Sequence, residues 1–381
     1  MAGPGRVYLD HASTSPARPE VVEAMAAWLG SAADPGRVHT EGRTARAVVE
    51  DAREAVAALL GARPREVVFT SGATESIATA VWGAAERGPH LVVPAVEHSA
   101  VRETSALFDV TEVGADGLGR VDPDEVLAAI RPGMTSLVHL QLANHEVATL
   151  QPVSEVVAGC HDRGVLVHVD AAAAAGHVPV DFGASGADLL SVSAHKLGGP
   201  PGIGALLVRR GLRLRPLLLG GAQERGRRAG LENVAAIAGF GAAARRLRGD
   251  AGPPTSHSQL EHEALAARRR TEDVVRAATR LADVVGYGDP VERVPHIVCL
   301  GVAGVEAEAV LVGLDRAGIA AHSGSACSSE TLEPSPVLAA MGVEAERSLR
   351  VSVGWSTTDD DIAAFADAFG PVVDRLRALQ G

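Results

Sequence analysis

The chain has 381 residues, of which 46% are hydrophobic, 22% charged and only 3% aromatic. This composition is typical of a globular, enzyme-sized protein, and the length indicates two domains. The formal net charge of −12 at neutral pH argues against direct binding of DNA or RNA, because nucleic-acid-binding proteins usually present a basic face to the phosphate backbone.

The cysteines and the N-terminal segment indicate the cellular compartment. Cys160, Cys299 and Cys327 are an odd number, lie far apart and lack CxxC spacing, so we expect neither a disulfide framework nor a metal site. The N-terminal residues lack the apolar stretch of a signal peptide, and no segment without charges reaches the roughly 18 residues of a membrane span. We therefore expect a cytoplasmic protein that does not bind membranes.

Short apolar runs rich in Val and Leu alternate with longer segments of helical periodicity. Alternating strands and helices predict a mostly parallel sheet with helices on both faces. Apolar residues three and four positions apart predict a helix over Ala45–Leu60 that ends at Gly61. The predicted strands are Val67–Thr70, Leu91–Pro94, Ser136–Leu140, Val165–Val169, Leu189–Ser193 and Ala205–Val208.

A cluster of turn-forming residues, Gly249–Ser256, predicts the boundary between a large domain and a C-terminal one. The run Arg268–Arg270 is interpreted as the solvated face of a helix rather than as a binding patch. The elements expected after the boundary are a charged helix over about 258–282, strands at Ile297–Val302 and Leu349–Val353, and a final helix from about residue 359.

The first motif that suggests chemistry follows the predicted strand Val67–Thr70. The segment Ser71–Ser76 leads into a helix, so the free amides at the helix N-terminus and the hydroxyl of Thr74 face the carboxyl end of the strand. Such a turn can bind an anion such as phosphate. Ordinary capping of the helix by Ser71 or Thr74 explains the same residues equally well, so both interpretations stay open.

A second motif is Asp170, directly after the predicted strand Val165–Val169. Open α/β sheets bind their ligands at this edge. An aspartate there is often only the cap of the next helix. Alternatively, a carboxylate held in a site with little water can pair with a protonated heteroaromatic nitrogen.

The third motif contains the single lysine of the chain, Lys196, whereas the other 34 of the 35 basic residues are arginines. A typical lysine in a glycine-rich segment would be a surface residue. Arginine replaces lysine in ion pairs and phosphate contacts, but a guanidinium stays protonated and cannot form a Schiff base. In a chain that otherwise uses arginine, Lys196 is therefore expected to perform amine chemistry.

The three cysteines differ in their neighbours. Cys160 and Cys299 lie among helical and apolar strand residues, which is typical of buried cysteines. Cys327 has Gly, Ser and Ala neighbours without a hydrophobic pattern, which predicts an accessible loop where a thiolate can act as a nucleophile.

In this order along the chain, the motifs resemble those of the pyridoxal-phosphate enzymes of the class V aminotransferase type, and more closely the cysteine desulfurases. The likeness implies pyridoxal 5'-phosphate as the cofactor and the type I fold of pyridoxal-phosphate transferases. In that fold, a large domain (residues 15–250) with a mixed, mostly parallel sheet is joined to a smaller α+β domain (1–14 and 251–381). The similar segments are Tyr8–Pro16, Ser71–Ser76, Glu97–His98, Ser193–Lys196, Gly220–Gly230, Ser323–Ser329, Leu332–Ser335 and Ser348–Ser352.

The resemblance also implies roles for individual residues. Lys196 would hold the cofactor and move the α-proton of cysteine, His98 would stack on the cofactor ring, and Cys327 would accept the sulfur as a persulfide. Arg350 would bind the substrate carboxylate. The remaining residues implied for the cofactor are Ala73, Thr74, His145, Asp170, Ser193 and His195, and those implied for the substrate are Ala12 and Thr14. No metal is implied.

Two positions depart from the family's pattern beside the cofactor. His145 stands where an asparagine is usual, and Ala173 stands where a glutamine is usual. An imidazole can donate one hydrogen bond, so we expect His145 to contact the cofactor's phenolic oxygen and to compensate for both losses. In the alternative, His145 points away and water fills the gap.

Two further departures lie elsewhere. Leu231 replaces a threonine that in the family reaches the phosphate of the partner subunit, and either Arg227 or Arg228 would supply charge nearby. Trp355 replaces an arginine, and packing is the only role that we assign to it. The resemblance also implies a homodimer with active sites at the subunit interface.

The sequence therefore predicts a cysteine desulfurase that converts L-cysteine to L-alanine and delivers sulfur to an acceptor protein. The residues at 145 and 173, in an arginine-rich chain, resemble the desulfurase of the DNA phosphorothioation system; iron-sulfur scaffolds and tRNA thiolation are the alternative destinations. A selenocysteine lyase, a transaminase or a non-catalytic binding protein on the same scaffold are competing interpretations. The segment around Cys327 argues against a transaminase, which does not need it.

Overall fold

The computed structural model describes residues 5–32, 34–250, 258–323 and 334–379. Its helices are α1 (Pro19–Leu29), α2 (Thr40–Leu59), α3 (Ala73–Ala84), α4 (Ser99–Ser105), α5 (Pro123–Ala128), α6 (Val153–Asp162), α7 (Phe182–Ser185), α8 (Val234–Arg248), α9 (Gln259–Ala278), α10 (Ala307–Arg316), α11 (Pro336–Ala340) and α12 (Asp359–Ala378). Its strands are β1 (Val7–Tyr8), β2 (Val67–Thr70), β3 (His90–Pro94), β4 (Asp109–Val113), β5 (Thr135–Gln141), β6 (Leu166–Asp170), β7 (Leu189–Ser193), β8 (Gly204–Val208), β9 (Val284–Tyr287), β10 (Ile297–Val302), β11 (Ile319–Ala320) and β12 (Ser348–Ser352).

Seven strands form the central sheet in the order β2-β8-β7-β6-β5-β3-β4. Strand β8 is antiparallel to its neighbours β2 and β7, and all other pairs are parallel. Because β2 is separated from β7 by one antiparallel strand, β2 runs in the same direction as β5, β6 and β7. The carboxyl ends of these four strands therefore meet at one edge of the sheet. The predicted mixed, mostly parallel sheet is confirmed.

Helices cover both faces of this sheet. Side chains alternate along each strand, so Leu137 and Leu189 pack against α3 on one face, while Val138 and Leu190 join the cluster that contains α2 and α8 on the other. Every residue of β5, β6 and β7 is buried, as expected for parallel strands between two helical layers. Among the helices that the structure describes, none is long and apolar enough to cross a membrane.

The predicted boundaries agree closely with the observed ones for strands and less well for helices. The strands at Val67–Thr70 and Leu189–Ser193 agree at both ends. The helix predicted from Ala45 begins instead at Thr40, because Nδ1 of His39 accepts a hydrogen bond from the amide of Gly42 and caps the helix. A histidine cap is not part of the usual Ser, Thr, Asp or Asn signal, which explains the error.

The C-terminal part contains a second, antiparallel sheet in the order β12-β10-β9, packed on α9, α10 and α12. Leu9 from the N-terminal segment belongs to the same hydrophobic cluster, and β1 pairs in parallel with β11. This is the smaller α+β unit that the resemblance implied. The boundaries of the two domains stay a prediction, since residues 251–257 lie outside the described part.

The arginine run in α9 has a structural role beyond solvation. Arg269 and Arg270 both contact the carboxylate of Asp359, the first residue of α12, at 2.9 Å. Arg268 donates to the carbonyl oxygens of Val291 and Arg293. The run therefore joins α9 to α12 and to the segment before β10. It is not a free binding patch.

Candidate active site

A cavity of about 430 Å³ opens at the edge where the strands of the central sheet end. Ten of the residues predicted for the site line it: Ala12, Ala73, Thr74, His98, His145, Asp170, Ser193, His195, Lys196 and Arg350. Thr14 is outside this lining, but its hydroxyl lies 3.1 Å from Nδ1 of His195. Cys327 lies outside the described residues.

The turn between β2 and α3 presents free amides to the cavity. The N-cap residue of α3 is Gly72, and no side chain caps the helix, so the alternative that Ser71 or Thr74 acts as a cap is wrong. Uncapped amides and the positive end of the helix dipole favour a bound phosphate. Gly204 on β8 packs closely against Gly72. A Cβ at Gly204 would lie 2.7 Å from Cα of Gly72, so position 204 has no room for a side chain.

A carboxylate beside this turn is neutralised by an arginine. Oε2 of Glu75 accepts the amide of Ser71 at 2.8 Å, and Oε1 lies 2.9 Å from Nε of Arg228. Burial opposes ionisation of Glu75, but the hydrogen bonds from Arg228 and Ser71 outweigh it and lower its pKa. Arg227 instead donates to the carbonyl oxygen of Arg65. Arg228 therefore acts near the turn through Glu75, and Arg227 does not point to it.

Asp170 ends β6 at the floor of the cavity and is 7% exposed. Its Oδ1 accepts the amide of Ala172 at 2.9 Å. Burial raises the pKa of Asp170, while the amide of Ala172 and the charge of Lys196 act in the opposite direction. A second cation beside this carboxylate would stabilise its ionised form, as a protonated ring nitrogen does.

A second carboxyl group lies behind Asp170. Oε1 of Glu97 accepts the amide of Gln141 at 2.6 Å, and Oε2 has no hydrogen-bond partner among the residues described. Burial, and then the charge of Asp170, raise the pKa of Glu97 to about 8, so Glu97 is mostly protonated at neutral pH. Gln141 lines the cavity and pairs in register with Asp170. Sequence reasoning missed Gln141, although its place at the end of a neighbouring strand was a usable signal.

His98 is held in one tautomer. Its Nδ1 accepts the amide of Ala100 at 3.0 Å and caps α4, so the proton of the neutral ring lies on Nε2. Burial, and then the charges of His145, Lys196 and Arg350, lower the pKa of His98 to about 3. At neutral pH the ring is therefore uncharged and presents an N–H donor.

His145 lines the cavity and meets His98 edge to face, with 5.0 Å between the ring centroids. Burial lowers the pKa of His145 to about 3. Its Nε2 lies 3.5 Å from Oε1 of Glu146, too long for a strong hydrogen bond. Ser335 donates to Oε2 of Glu146 at 2.5 Å, and burial raises the pKa of Glu146 to about 7. The ring thus faces the cavity as a neutral group, which is what the proposed compensation requires.

Part of the cavity lining comes from the N-terminal segment, through Ala12 and Ser13, and from Arg350. Nη1 of Arg350 donates to the carbonyl oxygen of His145, and Nη2 donates to Ser13 and Asp10. Sequence reasoning did not select Asp10 or Ser13, although both lie in the segment Tyr8–Pro16 that carried the resemblance. Arg350 comes from β12 in the C-terminal part, so the cavity is built by both parts of the chain.

Lys196 follows β7 in a short 3₁₀ turn, Ala194–Leu197, which ends at Gly198 with φ of 82°. A side chain at Gly198 would place a Cβ 2.7 Å from Nε of Arg18, so the turn requires glycine for two reasons. Nε2 of His177 lies 3.2 Å from the carbonyl oxygen of Lys196. These contacts fix the backbone from which the amine enters the cavity.

Trp355 and two of the cysteines have structural positions. Nε1 of Trp355 donates to the carbonyl oxygen of Pro16 at 2.9 Å, and the guanidinium of Arg18 lies over its ring at 5.5 Å. Trp355 thus fastens the N-terminal segment that lines the cavity. Cys160 and Cys299 are buried, as predicted, and burial raises the pKa of both thiols.

The donor set fits pyridoxal 5'-phosphate in three respects. Uncapped amides at Ala73 and Thr74 suit the phosphate, the buried carboxyl of Asp170 suits the ring nitrogen, and Lys196 supplies an amine. All three groups line one cavity.

Comparisons with known proteins show which family this chain resembles in sequence and in fold. The sequence matches the family described as "Aminotransferase class-V" over residues 7–365. "Cysteine desulfurase IscS" of Dictyoglomus turgidum is 37% identical over 387 residues, which cover 98% of this chain and 96% of that protein. A solved structure of a NifS-like protein from Rickettsia africae has a TM-score of 0.87 and 29% identity, covering 97% and 99% of the two chains. The structure described as "SspA in complex with cysteine" has a TM-score of 0.79 and 30% identity, covering 92% and 100%.

Proposed function

Because this chain belongs to the class V aminotransferase family and, within it, to the cysteine desulfurases, we propose that it converts L-cysteine to L-alanine and passes the sulfur to an acceptor protein. One observation carries the proposal: a single cavity contains the amine of Lys196, the buried carboxyl of Asp170 and the guanidinium of Arg350. These three groups suit, in turn, a carbonyl, a protonated ring nitrogen and an amino-acid carboxylate. The similar structure described as containing cysteine supports the choice of substrate.

Pyridoxal 5'-phosphate would be held by residues from three elements. Lys196 would bind it through its amine, Ala73 and Thr74 would hold the phosphate with Ser193 and His195 nearby, and Asp170 would face the ring nitrogen. When bound, the cofactor supplies an electron sink that makes the Cα proton and the Cβ–S bond of cysteine labile.

The side chains of the protein carry out the proton transfer and bind the substrate. Nζ of Lys196 removes the Cα proton of the bound cysteine. His98 is neutral, so it presents a hydrogen-bond donor at Nε2 and not a cation, and it would stack on the ring of the bound cofactor. His145, which lines the same cavity, would donate to the phenolic oxygen in place of the residues that are usual in the family. The carboxylate of the substrate binds Arg350 beside Ala12 and Thr14.

Sulfur transfer is proposed for Cys327 from the sequence. The thiolate of Cys327 attacks the sulfur of the substrate, an S–S bond forms, and the Cβ–S bond breaks with its electron pair passing to the carbon side. Protonation at Cβ and return of the Cα proton from Nζ of Lys196 then complete L-alanine, and the enzyme keeps a persulfide. Burial of Cys160 and Cys299 supports this choice, because neither is accessible to a substrate.

We propose that the enzyme acts as a cytoplasmic homodimer. The segment after β8 exposes three large apolar side chains, Leu218, Leu219 and Leu231, which are 41%, 76% and 61% exposed. Apolar groups exposed together favour association with another protein surface. Leu231 occupies the position of the threonine that, in the family, reaches the cofactor phosphate of the partner subunit. At this position the interface would therefore contribute apolar packing instead of a hydrogen bond.

The proposed destination of the sulfur is the DNA phosphorothioation machinery, based on the residues at His145 and Ala173. Iron-sulfur scaffold proteins and tRNA thiolation are the alternative destinations, and selenocysteine is the alternative substrate. Trapping the protein that takes sulfur from Cys327 distinguishes the three destinations. Direct comparison of kcat/KM for cysteine and selenocysteine distinguishes the substrates.

The activity is tested with the purified protein and pyridoxal 5'-phosphate. We expect L-alanine to form in proportion to the sulfur released from L-cysteine, and Lys196→Ala to abolish both the reaction and the visible absorbance of the lysine-bound cofactor. A Cys327→Ser variant that still released sulfide at the wild-type rate would contradict the role of Cys327. A wild-type protein that binds the cofactor but forms no alanine would contradict the function.

A further inference from the structure

The guanidinium of Arg350 is almost fully engaged by the protein. Its side chain is 7% exposed. Nη2 donates to Oδ1 of Asp10 at 3.1 Å and to Oγ of Ser13 at 2.7 Å, and Nη1 donates to the carbonyl oxygen of His145 at 3.0 Å. Nε is buried and has no hydrogen-bond partner among the described residues.

Asp10 and Ser13 close a hydrogen-bonded triangle with Nη2. The hydroxyl of Ser13 donates to Oδ1 of Asp10 at 2.9 Å and accepts from Nη2. Nη2 carries two hydrogens, and this triangle uses both. The carboxylate of Asp10, 20% exposed, is the negative partner of Arg350, and both Arg350 and Ser13 line the cavity.

This triangle restricts how another carboxylate can bind. A guanidinium offers a carboxylate two parallel N–H groups along either of two edges, one formed by Nε and Nη2 and the other by Nη1 and Nη2. Both edges include Nη2. Two-point binding of a substrate carboxylate therefore requires that Nη2 release Asp10 or Ser13.

The free N–H of Nε indicates which edge receives the ligand. Nη1 is already tied to the backbone at His145, whereas Nε is an unpaired donor in a residue that lines the cavity. The edge formed by Nε and Nη2 becomes complete when Nη2 releases one of its two partners, and its contact to Asp10, at 3.1 Å, is longer than its contact to Ser13, at 2.7 Å. A second carboxylate there would also lie close to the charge of Asp10, which weakens its binding.

We propose that Asp10 is a positioning residue that occupies Nη2 of Arg350 in the free enzyme, is displaced by the carboxylate of the amino acid, and thereby limits the affinity for both cysteine and alanine. This inference rests on the proposed function and adds a determinant of substrate affinity and product release. Asp10 holds the guanidinium in orientation while the cavity is empty of substrate. Its charge then favours departure of the product.

The test compares Asp10→Asn with wild type as the holoenzyme. Asparagine keeps an oxygen that accepts from Nη2 but removes the charge, so KM for L-cysteine and the inhibition constant of L-alanine are each expected to fall roughly tenfold. The value of kcat should change much less than KM. Asp51→Asn is the matched control, because Asp51 is an exposed carboxylate paired with Arg245 on another surface; it should leave both constants within about twofold.

Two results would overturn the inference. The first is a KM for L-cysteine that is unchanged or higher in Asp10→Asn while wild type forms alanine normally. That result would contradict the role of Asp10 and leave the proposed function intact. If wild type formed no alanine, the proposed function itself would be contradicted. The second is independent of any variant: a wild-type structure with L-alanine bound in which Asp10 still contacts Nη2. We expect that contact to be broken and Nε and Nη2 to hold the ligand's carboxylate.

Discussion

The segment 222–226, which precedes Arg228, is fastened to the central sheet by a buried ion pair. Arg53 on α2 and Glu224 are each 3% exposed in their side chains and form two hydrogen bonds, at 2.7 and 2.8 Å. Oε2 of Glu224 also accepts the amide of Phe69 on β2, and the Arg53 guanidinium lies over the Phe69 ring at 4.7 Å. Glu224 and Arg225 adopt left-handed conformations, with φ of 47° and 60°, that non-glycine residues rarely adopt. The ion pair therefore holds an unfavourable turn in place.

Removing both partners should cost less than the two single losses added together. Glu224→Gln leaves the charge of Arg53 buried without compensation, and we expect the free energy of unfolding to fall by about 3–5 kcal/mol. The double variant Arg53→Met/Glu224→Met removes both charges, so its loss should be clearly smaller than the sum of the two single losses. The exposed pair Arg245–Asp51 is the control, and its disruption should cost no more than about 1 kcal/mol.

Urea unfolding followed by circular dichroism measures these differences. The variant Glu224→Gln should also bind pyridoxal 5'-phosphate more weakly, because the loosened segment carries Arg228, which neutralises Glu75 beside the phosphate turn. A loss below about 1 kcal/mol for Glu224→Gln, or strictly additive losses in the double variant, would refute this interpretation of the pair.

Two further predictions concern other carboxyl groups of the site. Arg228→Ala leaves the charge of Glu75 uncompensated beside the phosphate turn, so the dissociation constant of the cofactor, measured by fluorescence titration, should rise about tenfold. Adding Glu75→Gln to the same chain should restore most of the lost affinity. A double variant that binds the cofactor no better than Arg228→Ala would contradict the role of Arg228. Burial raises the pKa of Glu97 to about 8, so the folded state holds a proton that the unfolded state releases above about pH 4.5, and this contribution to stability is lost as the pH rises towards 8. Glu97→Gln keeps the oxygen that accepts the amide of Gln141 but has no proton to lose. The difference in unfolding free energy between this variant and wild type should therefore shift in favour of the variant by a few kcal/mol between pH 5 and pH 8. A difference that is independent of pH would exclude a neutral carboxyl at Glu97.

The sequence was sufficient to predict the sheet, because strands depend on local patterns, and the resemblance to the family supplied most of the ten predicted residues that line the cavity. Apolar runs of four to seven residues are typical of buried parallel strands, and the residues that follow such strands meet at one edge. The position of Lys196 at that edge followed from composition and motif together.

Contacts between distant parts of the chain could not be predicted in the same way. Arg350 and Asp10 are 340 positions apart, and nothing in either local sequence indicates that they pair. The same is true of Trp355, whose partner Pro16 lies 339 positions away and gives it a role beyond simple packing. The early start of α2 and the docking role of Arg268–Arg270 likewise depend on particular side-chain contacts and not on periodicity.

The most direct test of the central claim is mass spectrometry of the holoenzyme after one turnover with L-cysteine, with L-alanine quantified in the same sample. We expect one additional sulfur atom on the peptide that contains Cys327, in equal amount to the L-alanine formed, and none on Cys160 or Cys299. Additional sulfur on another cysteine, or L-alanine formed without sulfur on Cys327, would contradict the proposed mechanism.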